Sequence, residues 1–141
     1  MVWSHALLVL VVLLIGVGGL LADFVVPATA RQHLLNPHWP PHAKFHNAQS
    51  VAFGLLNGAL IVYLMVFSHA DERVIFPIAV VLALFYPLSM LAARLFPGTA
   101  WHDPEFDEGH PQIAGLDPNL AVGLFGLGLT VLAVVLHLLK R

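Results

Sequence analysis

Two histidines are spaced so that they can act together. His42 and His46 are four residues apart, which places both imidazoles on the same side of a helix. Pro41 suits the first turn of a helix, so we expect His42 to be helical already. Two imidazoles at this spacing can share a divalent metal such as zinc, iron or copper, with carboxylates or a third histidine as further ligands.

A second segment, residues 101–110, supplies the residue types that could complete such a site. We therefore predict a metal site whose ligands are His42, His46, His102, His110, Asp103 and Glu105. Two other interpretations stay open. The same residues could form an acid–base site without a metal, or a structural polar cap whose histidines hydrogen-bond lipid head groups and loop carbonyls.

The polar side of the helix that starts at the two histidines extends into the apolar segment. Steps of four, three and four residues lead from His46 through Ser50 to Asn57. Asn57 falls near the middle of the segment, where an amide facing lipid is unfavourable, so we expect it to face other helices. Alone it indicates a hydrogen bond between helices, whereas the whole stripe indicates a polar cleft.

Two charged residues are expected at the same depth as the start of this stripe. Asp23 lies near the end of the first apolar run, and Arg94 near the end of the third. Because an unpaired charge there is costly, we expect Asp23 to pair with Arg94 or to orient His46. The residues predicted to be catalytic are His42, His46, Asp23 and Asn57.

Amino-acid composition indicates that the apolar segments of this chain lie in a lipid bilayer and not in water. The chain has 141 residues, of which 59% are hydrophobic and only 10% charged, against about 25% charged in soluble domains. A soluble chain this short could not bury that much apolar surface. The absence of cysteine excludes disulfides and thiolate chemistry. The net charge of -2 and the lack of a basic run argue against a nucleic-acid partner.

The apolar runs predict an all-α integral membrane four-helix bundle. Residues 1–141 are expected to form one domain with helices at about 3–26, 45–68, 74–96 and 119–139. Each run is near the ~20 residues that cross a bilayer. The first lacks a basic start and is too long for a cleaved signal peptide, so we expect it to be retained. Asp117 and Pro118 are a plausible N-cap and first residue of the last helix.

Four crossings place the two long loops, residues 27–44 and 97–118, on one side of the membrane and both termini on the other. Lys and Arg are evenly divided between the sides, so the positive-inside rule is nearly balanced. The amino terminus tips the expectation towards cytoplasmic termini in a multi-pass protein. Glycine-rich faces of the second and fourth helices would permit an oligomer.

Residues 39–49 carry a motif that resembles a known family. The core Pro-Pro-His-Ala-Lys-Phe-His-Asn, together with Asp23-x-x-x-Pro27, is similar to a family of small four-helix membrane proteins of bacteria and fungi. That resemblance implies the membrane topology and no activity. A remoter similarity to the emopamil-binding, sigma-2-receptor-like superfamily implies a lipid-accessible pocket. This chain has no acidic residue in its second helix, so the catalytic residues of that superfamily do not carry over.

Two classes of function follow from these features. The first is a membrane enzyme that acts on an apolar, lipid-like or isoprenoid substrate by metal-assisted or acid–base chemistry. The second is a non-catalytic protein that binds a metal or membrane lipids, or that serves as a subunit of a larger membrane assembly. Convergence of the histidines and loop carboxylates beside a cavity would distinguish a site from a polar cap.

Overall fold

Five helices form the computed structural model, which describes residues 2–140. Their bounds are α1 (Trp3–Val25), α2 (Pro27–Ala30), α3 (Pro41–Phe67), α4 (Glu72–Ala93) and α5 (Pro118–Leu138). All except the short α2 are long and apolar enough to cross a membrane. The expected all-α fold with four such helices is confirmed. Helix α3 starts at residue 41 and not near 45, because Pro41 occupies its first turn.

The outer surface of the bundle is apolar. Phe53, Leu56 and Phe125 are 52%, 72% and 57% exposed, and many other large hydrophobic side chains on the four long helices are exposed as well. Water would penalise such a surface, whereas lipid does not. The interior contains a cluster of buried hydrophobic side chains that includes Leu8, Ile61 and Phe76.

Helix α1 contains two π-helical turns, at Leu13–Val17 and Leu21–Val25. A π turn accommodates one extra residue, so it rotates the following side chains relative to an uninterrupted α-helix. Asp23 lies in the second of these turns and is buried. Its carboxylate therefore points into the protein and not to lipid.

Glycines set the distance between α1 and α3. A Cβ atom added at Gly16 would lie 3.0 Å from the carbonyl oxygen of Gly54, and one added at Gly58 would lie 2.6 Å from Cγ1 of Val12. At Gly16 the contact is with backbone, which cannot move aside as a flexible side chain could, whereas at Gly58 it is with the side chain of Val12. The close crossing of these two helices thus requires glycine.

The terminal-side end of the bundle joins three helices through one carboxylate. Oε1 of Glu72, in the first turn of α4, lies 3.1 Å from Nε2 of His5 and 3.5 Å from Nδ1 of His137. The ring of His137 stacks on Phe76 at 3.8 Å between centroids. These contacts tie the start of α1 and the end of α5 to α4.

Substitution at the α1–α3 crossing tests the glycine contact. We expect Gly16→Leu to lower the free energy of unfolding by about 1–3 kcal/mol, because overpacking forces the helices apart. Gly18→Leu is the matched control, since nothing lies within 4 Å of a Cβ at Gly18. Denaturant or thermal unfolding in detergent measures both variants. Equal stability of the two would show that the crossing does not depend on Gly16.

Candidate metal centre

The two long loops are bound to each other by polar contacts at one end of the bundle. The buried Asn36 donates from Nδ2 to Oε1 of Glu105 at 2.9 Å, and Nδ1 of His38 lies 2.7 Å from Oε2 of the same residue. Nε1 of Trp39 donates to Oδ2 of Asp103 at 2.9 Å. Asp103 and Glu105, both predicted metal ligands, thus connect the loops in this structure.

The hydrogen bond from Asn36, followed by the contact with His38, lowers the pKa of Glu105 below its usual value. An ionised carboxylate accepts both contacts. The charge of Glu105 therefore strengthens the connection between the loops, to which the Trp39–Asp103 hydrogen bond also contributes.

Within the second loop, two imidazoles meet one carboxylate oxygen. Oδ2 of Asp117 lies 3.0 Å from Nδ1 of His102 and 2.9 Å from Nε2 of His110. The two rings stack with centroids 3.7 Å apart and planes inclined by 18°. The side chains of His110 and Asp117 are only 12% and 9% exposed. This cluster places three titratable side chains in direct contact on the loop side.

The start of α5 fixes the carboxylate. Oδ1 of Asp117 accepts the backbone N–H of Asn119 at 2.8 Å, as an N-cap does, and Pro118 takes the first helical position. The cap predicted from the sequence is confirmed. Because the cap uses Oδ1, Oδ2 is free for the histidines. Gly109, at φ 73°, provides the left-handed turn that precedes His110.

Electrostatics favour a charged pair within the cluster. The hydrogen bond with Asp117 raises the pKa of His102; burial opposes this, and the contact of Nε2 with Asp107 at 2.9 Å adds to it. Burial works against ionisation of Asp117, but the hydrogen bonds from His102, the backbone of Asn119 and His110 outweigh it, so its pKa is lowered. Asp117 is held as an anion between imidazoles.

The same three side chains lie close enough together that they could hold a metal ion. One ligand atom from each of His102, His110 and Asp117 lies within 4.8 Å of the other two, and within residues 2–140 no other such group of three is found. Two imidazole nitrogens and one carboxylate oxygen suit zinc with an open fourth position, or ferrous iron. Asp107 supports this arrangement, because the free nitrogen of a ligating histidine usually donates to a carboxylate.

His42 and His46 lie elsewhere. Their Nε2 atoms are 3.1 Å apart and their ring centroids 4.5 Å apart, on an exposed side of α3. Nδ1 of His46 lies 3.2 Å from Oε1 of Gln49. The two rings are adjacent, as their spacing predicts. His102 and His110, which were expected to join them, instead contact Asp117.

Asp23 is placed by contacts with the first loop and α3. Its Oδ2 accepts from Nδ2 of Asn47 at 2.9 Å, and its Oδ1 lies 3.6 Å from Nδ1 of His33. Arg94, the expected partner, instead donates to Oγ1 of Thr99 at 3.1 Å. The neighbours of the Asp23 carboxylate are therefore the Asn47 amide and the His33 ring, and not Arg94 or His46 as the sequence suggests.

Two adjoining cavities connect these groups. One of about 210 Å³ is lined by residues that include Asp23, Asn47, Tyr86 and Arg94. The other, of about 200 Å³, reaches His102 and Asp103. Both are lined by His33, Ala100, Trp101 and Asn119. We call the two together the loop-side cleft, since they share these four lining residues and together extend from beside His102 to the buried Asp23.

Asn57 connects two helices deeper in the bundle. Its Nδ2 donates to the carbonyl oxygen of Leu82 in α4 at 2.9 Å. Asn57 also lines a small void of about 10 Å³ with Tyr86 and glycines of α1 and α3. The amide faces other helices, as the sequence indicates, and it lies below the loop-side cleft without lining it.

Asp117, Asn47 and His33 are the site residues that sequence reasoning missed. Asp117 was assigned to the helix cap alone, although a capping carboxylate has a second oxygen. His33 lies in the first long loop, and Asn47 lies in the motif of residues 39–49. Their proximity to Asp23 depends on how the first loop folds back along α1, which no local pattern indicates.

Comparison with known proteins gives one match. The model of a family described as a family of unknown function, DUF6640, matches residues 7–136. No curated protein and no solved structure matches the chain. The suggested similarity to the emopamil-binding superfamily stays a prediction from the residues alone.

The contact between the loops gives a pH-dependent prediction. Because the pKa of Glu105 is lowered, its charge should stabilise the protein above the usual carboxyl pKa of 4.5, with the effect lost as the pH falls through the lowered value. We expect Glu105→Ala to lower Tm at neutral pH relative to the exposed control Glu108→Ala. The difference should shrink in acid. A difference that stays constant or grows on acidification would contradict the role given to the charge.

Proposed function

This chain belongs to the DUF6640 family of unknown function, and we propose that it is a multi-pass membrane protein that binds a divalent transition metal through His102, His110 and Asp117. The observation that carries the proposal is the convergence of both imidazoles on Oδ2 of Asp117, at 3.0 and 2.9 Å. Of the six predicted ligands, two belong to this set.

The surroundings favour a cation at this point. Asp117 stays ionised, and Asp107 lies against the far nitrogen of His102. Two carboxylates and two imidazoles therefore lie together. Within residues 2–140, no lysine or arginine forms a hydrogen bond or ion pair with any of them. Burial of the His110 and Asp117 side chains limits competition from water. His102 exchanges its proton for the metal when the ion binds.

Metal analysis tests the proposal with a matched pair of variants. We expect the detergent-purified protein to hold about one zinc or iron ion per chain, and His102→Ala/His110→Ala to lose it. His42→Ala/His46→Ala is the control, since it also removes two adjacent loop-side histidines. Elemental analysis after dialysis against a mild chelator measures all three proteins.

The outcomes separate the two histidine pairs. Retention of the metal in the control and loss in the first variant support the proposed ligands. Loss only in His42→Ala/His46→Ala would transfer the site to α3. Equal content in all three proteins would remove both versions of the metal site.

The loop-side cleft favours a second, narrower function. An enzyme that acts on a lipid-like or isoprenoid substrate needs a reactive group beside a cavity that membrane-dissolved molecules can enter. His102 lines one end of the cleft and Asp23 the other. A bound metal would supply Lewis-acid activation, while Asp23 and Asn47 would orient a polar group of the substrate. The catalytic roles predicted for His42, His46 and Asn57 stay predictions.

Lipid analysis of cells tests the enzyme. Cells that lack the gene should accumulate an amphiphile which the wild-type gene removes and the His102→Ala/His110→Ala gene does not. Expression of both proteins in membranes is compared by immunoblot. If lipid profiles are unchanged in all strains, the enzyme is excluded, and a metal-binding subunit of a larger assembly becomes the better description.

A further inference from the structure

A guanidinium group is held in place at the loop-side end of α4 without an anion. Nη1 of Arg94 donates to Oγ1 of Thr99 at 3.1 Å, and the guanidinium carbon lies 5.6 Å from the ring centroid of Trp101. The Thr99 hydroxyl is itself 2.9 Å from the carbonyl oxygen of Ala93. Within residues 2–140, Arg94 forms no ion pair. An arginine fixed on two sides is a ready ligand for an oxyanion.

The same cavity contains a carboxylate that does not pair with this arginine. Asp23 and Arg94 both line the space of about 210 Å³. Asp23 contacts Asn47 and His33 instead. The cavity therefore presents a positive group from α4 and a negative group from α1, with volume between them.

Hydrogen-bond acceptors near Asp23 lack donors. Oδ1 of Asn47 is buried and has no hydrogen-bond partner among the described residues. Nδ1 of His33 is 3.0 Å from the carbonyl oxygen of Thr29, which only accepts, so its proton points there and not to Asp23. Oδ1 of Asp23, 3.6 Å from that nitrogen, is left beyond hydrogen-bond distance. Oδ1 of Asp23 is therefore the acceptor that a molecule in the cavity can reach, whereas the fully buried Oδ1 of Asn47 is not accessible to one.

The cavity also opens to the outer surface of the bundle at the loop-side end of α4. Ser50 of α3 and Ala93 of α4 line it and are exposed, and Met90 adds an apolar wall. Ala93 is the last residue of α4, which places the opening at the level of the lipid head groups. A molecule with its chains in the bilayer can therefore place its head in the cavity.

We propose that this cavity binds the head group of an aminophospholipid. The phosphate contacts the guanidinium of Arg94, while the primary ammonium donates to Oδ1 of Asp23. A primary ammonium has three donors and can supply the one that Oδ1 of Asp23 lacks. A quaternary ammonium has none, and a glycerol head lacks the positive charge. This site lies in the same loop-side cleft as the metal cluster, but its contacts with Arg94 and Asp23 do not depend on a bound ion.

Binding of short-chain lipids to the purified protein tests the proposal. Microscale thermophoresis in detergent compares diheptanoyl phosphatidylethanolamine with the phosphatidylcholine and phosphatidylglycerol of the same chains. We expect the ethanolamine lipid to bind roughly tenfold more tightly than either, as one charge-assisted hydrogen bond would give. Equal affinities for the three lipids would overturn the proposal.

Three variants assign the contacts. Arg94→Gln should weaken the ethanolamine and choline lipids alike, because both carry the phosphate. Asp23→Asn keeps the contact with Asn47 and should remove the preference for ethanolamine. Arg31→Gln, which changes another exposed loop-side arginine, is the control and should bind as wild type. An Arg94→Gln protein that binds as well as the control would overturn the assignment.

Two further measurements are needed. The first tests whether the ligand is a lipid or a soluble molecule, and the second tests whether lipid binding is independent of the metal site. Glycerophosphoethanolamine, which has the head group without chains, should compete only at much higher concentration; equal potency would mean that a soluble molecule and not a lipid is bound. The metal content of Arg94→Gln should equal that of wild type. Failure of lipid binding with intact metal content therefore overturns this inference and leaves the metal proposal standing.

Discussion

The absence of water within a bilayer is the constraint from which the rest of this structure follows. Every backbone N–H and C=O in that region needs a partner within the protein, and the four long helices provide it. Irregular backbone and ionised side chains are therefore displaced to the two ends. At the terminal-side end they form the small cluster around Glu72. At the other end, two loops have enough length to build a site.

That loop-side site is assembled from contacts that are distant in sequence. Asn36 and Glu105 are 69 residues apart, and Trp39 and Asp103 are 64 apart. These hydrogen bonds involve a charged acceptor and a partly buried donor, which makes each stronger than one at a water-exposed surface. They hold the first loop against the second and so define the walls of the cleft between His33 and Trp101. The cleft exists because each loop contacts the other loop in addition to packing on the helices.

The sequence predicts the parts of this protein that depend on local chemistry. Apolar runs give the four helices, and Asp117 before Pro118 gives the start of α5. The spacing of His42 and His46 correctly places their rings together. Which histidines share a carboxylate could not be predicted, because that depends on how residues 101–117 fold back over the helix end. The same limit applies to Asp23, whose partners Asn47 and His33 are set by a π turn and by the packing of the first loop.

Asp117 connects the fold to the proposed metal centre. The N-terminal end of a helix stabilises negative charge through its free N–H groups and dipole, and this favours the ionised carboxylate. The cap uses one oxygen and leaves the other to His102 and His110. The Asp117–Pro118 cap fixes where α5 starts, and thus where Oδ2 lies. His102 and His110 can therefore converge on Oδ2 only after α5 has formed. The proposed metal site thus requires the folded bundle.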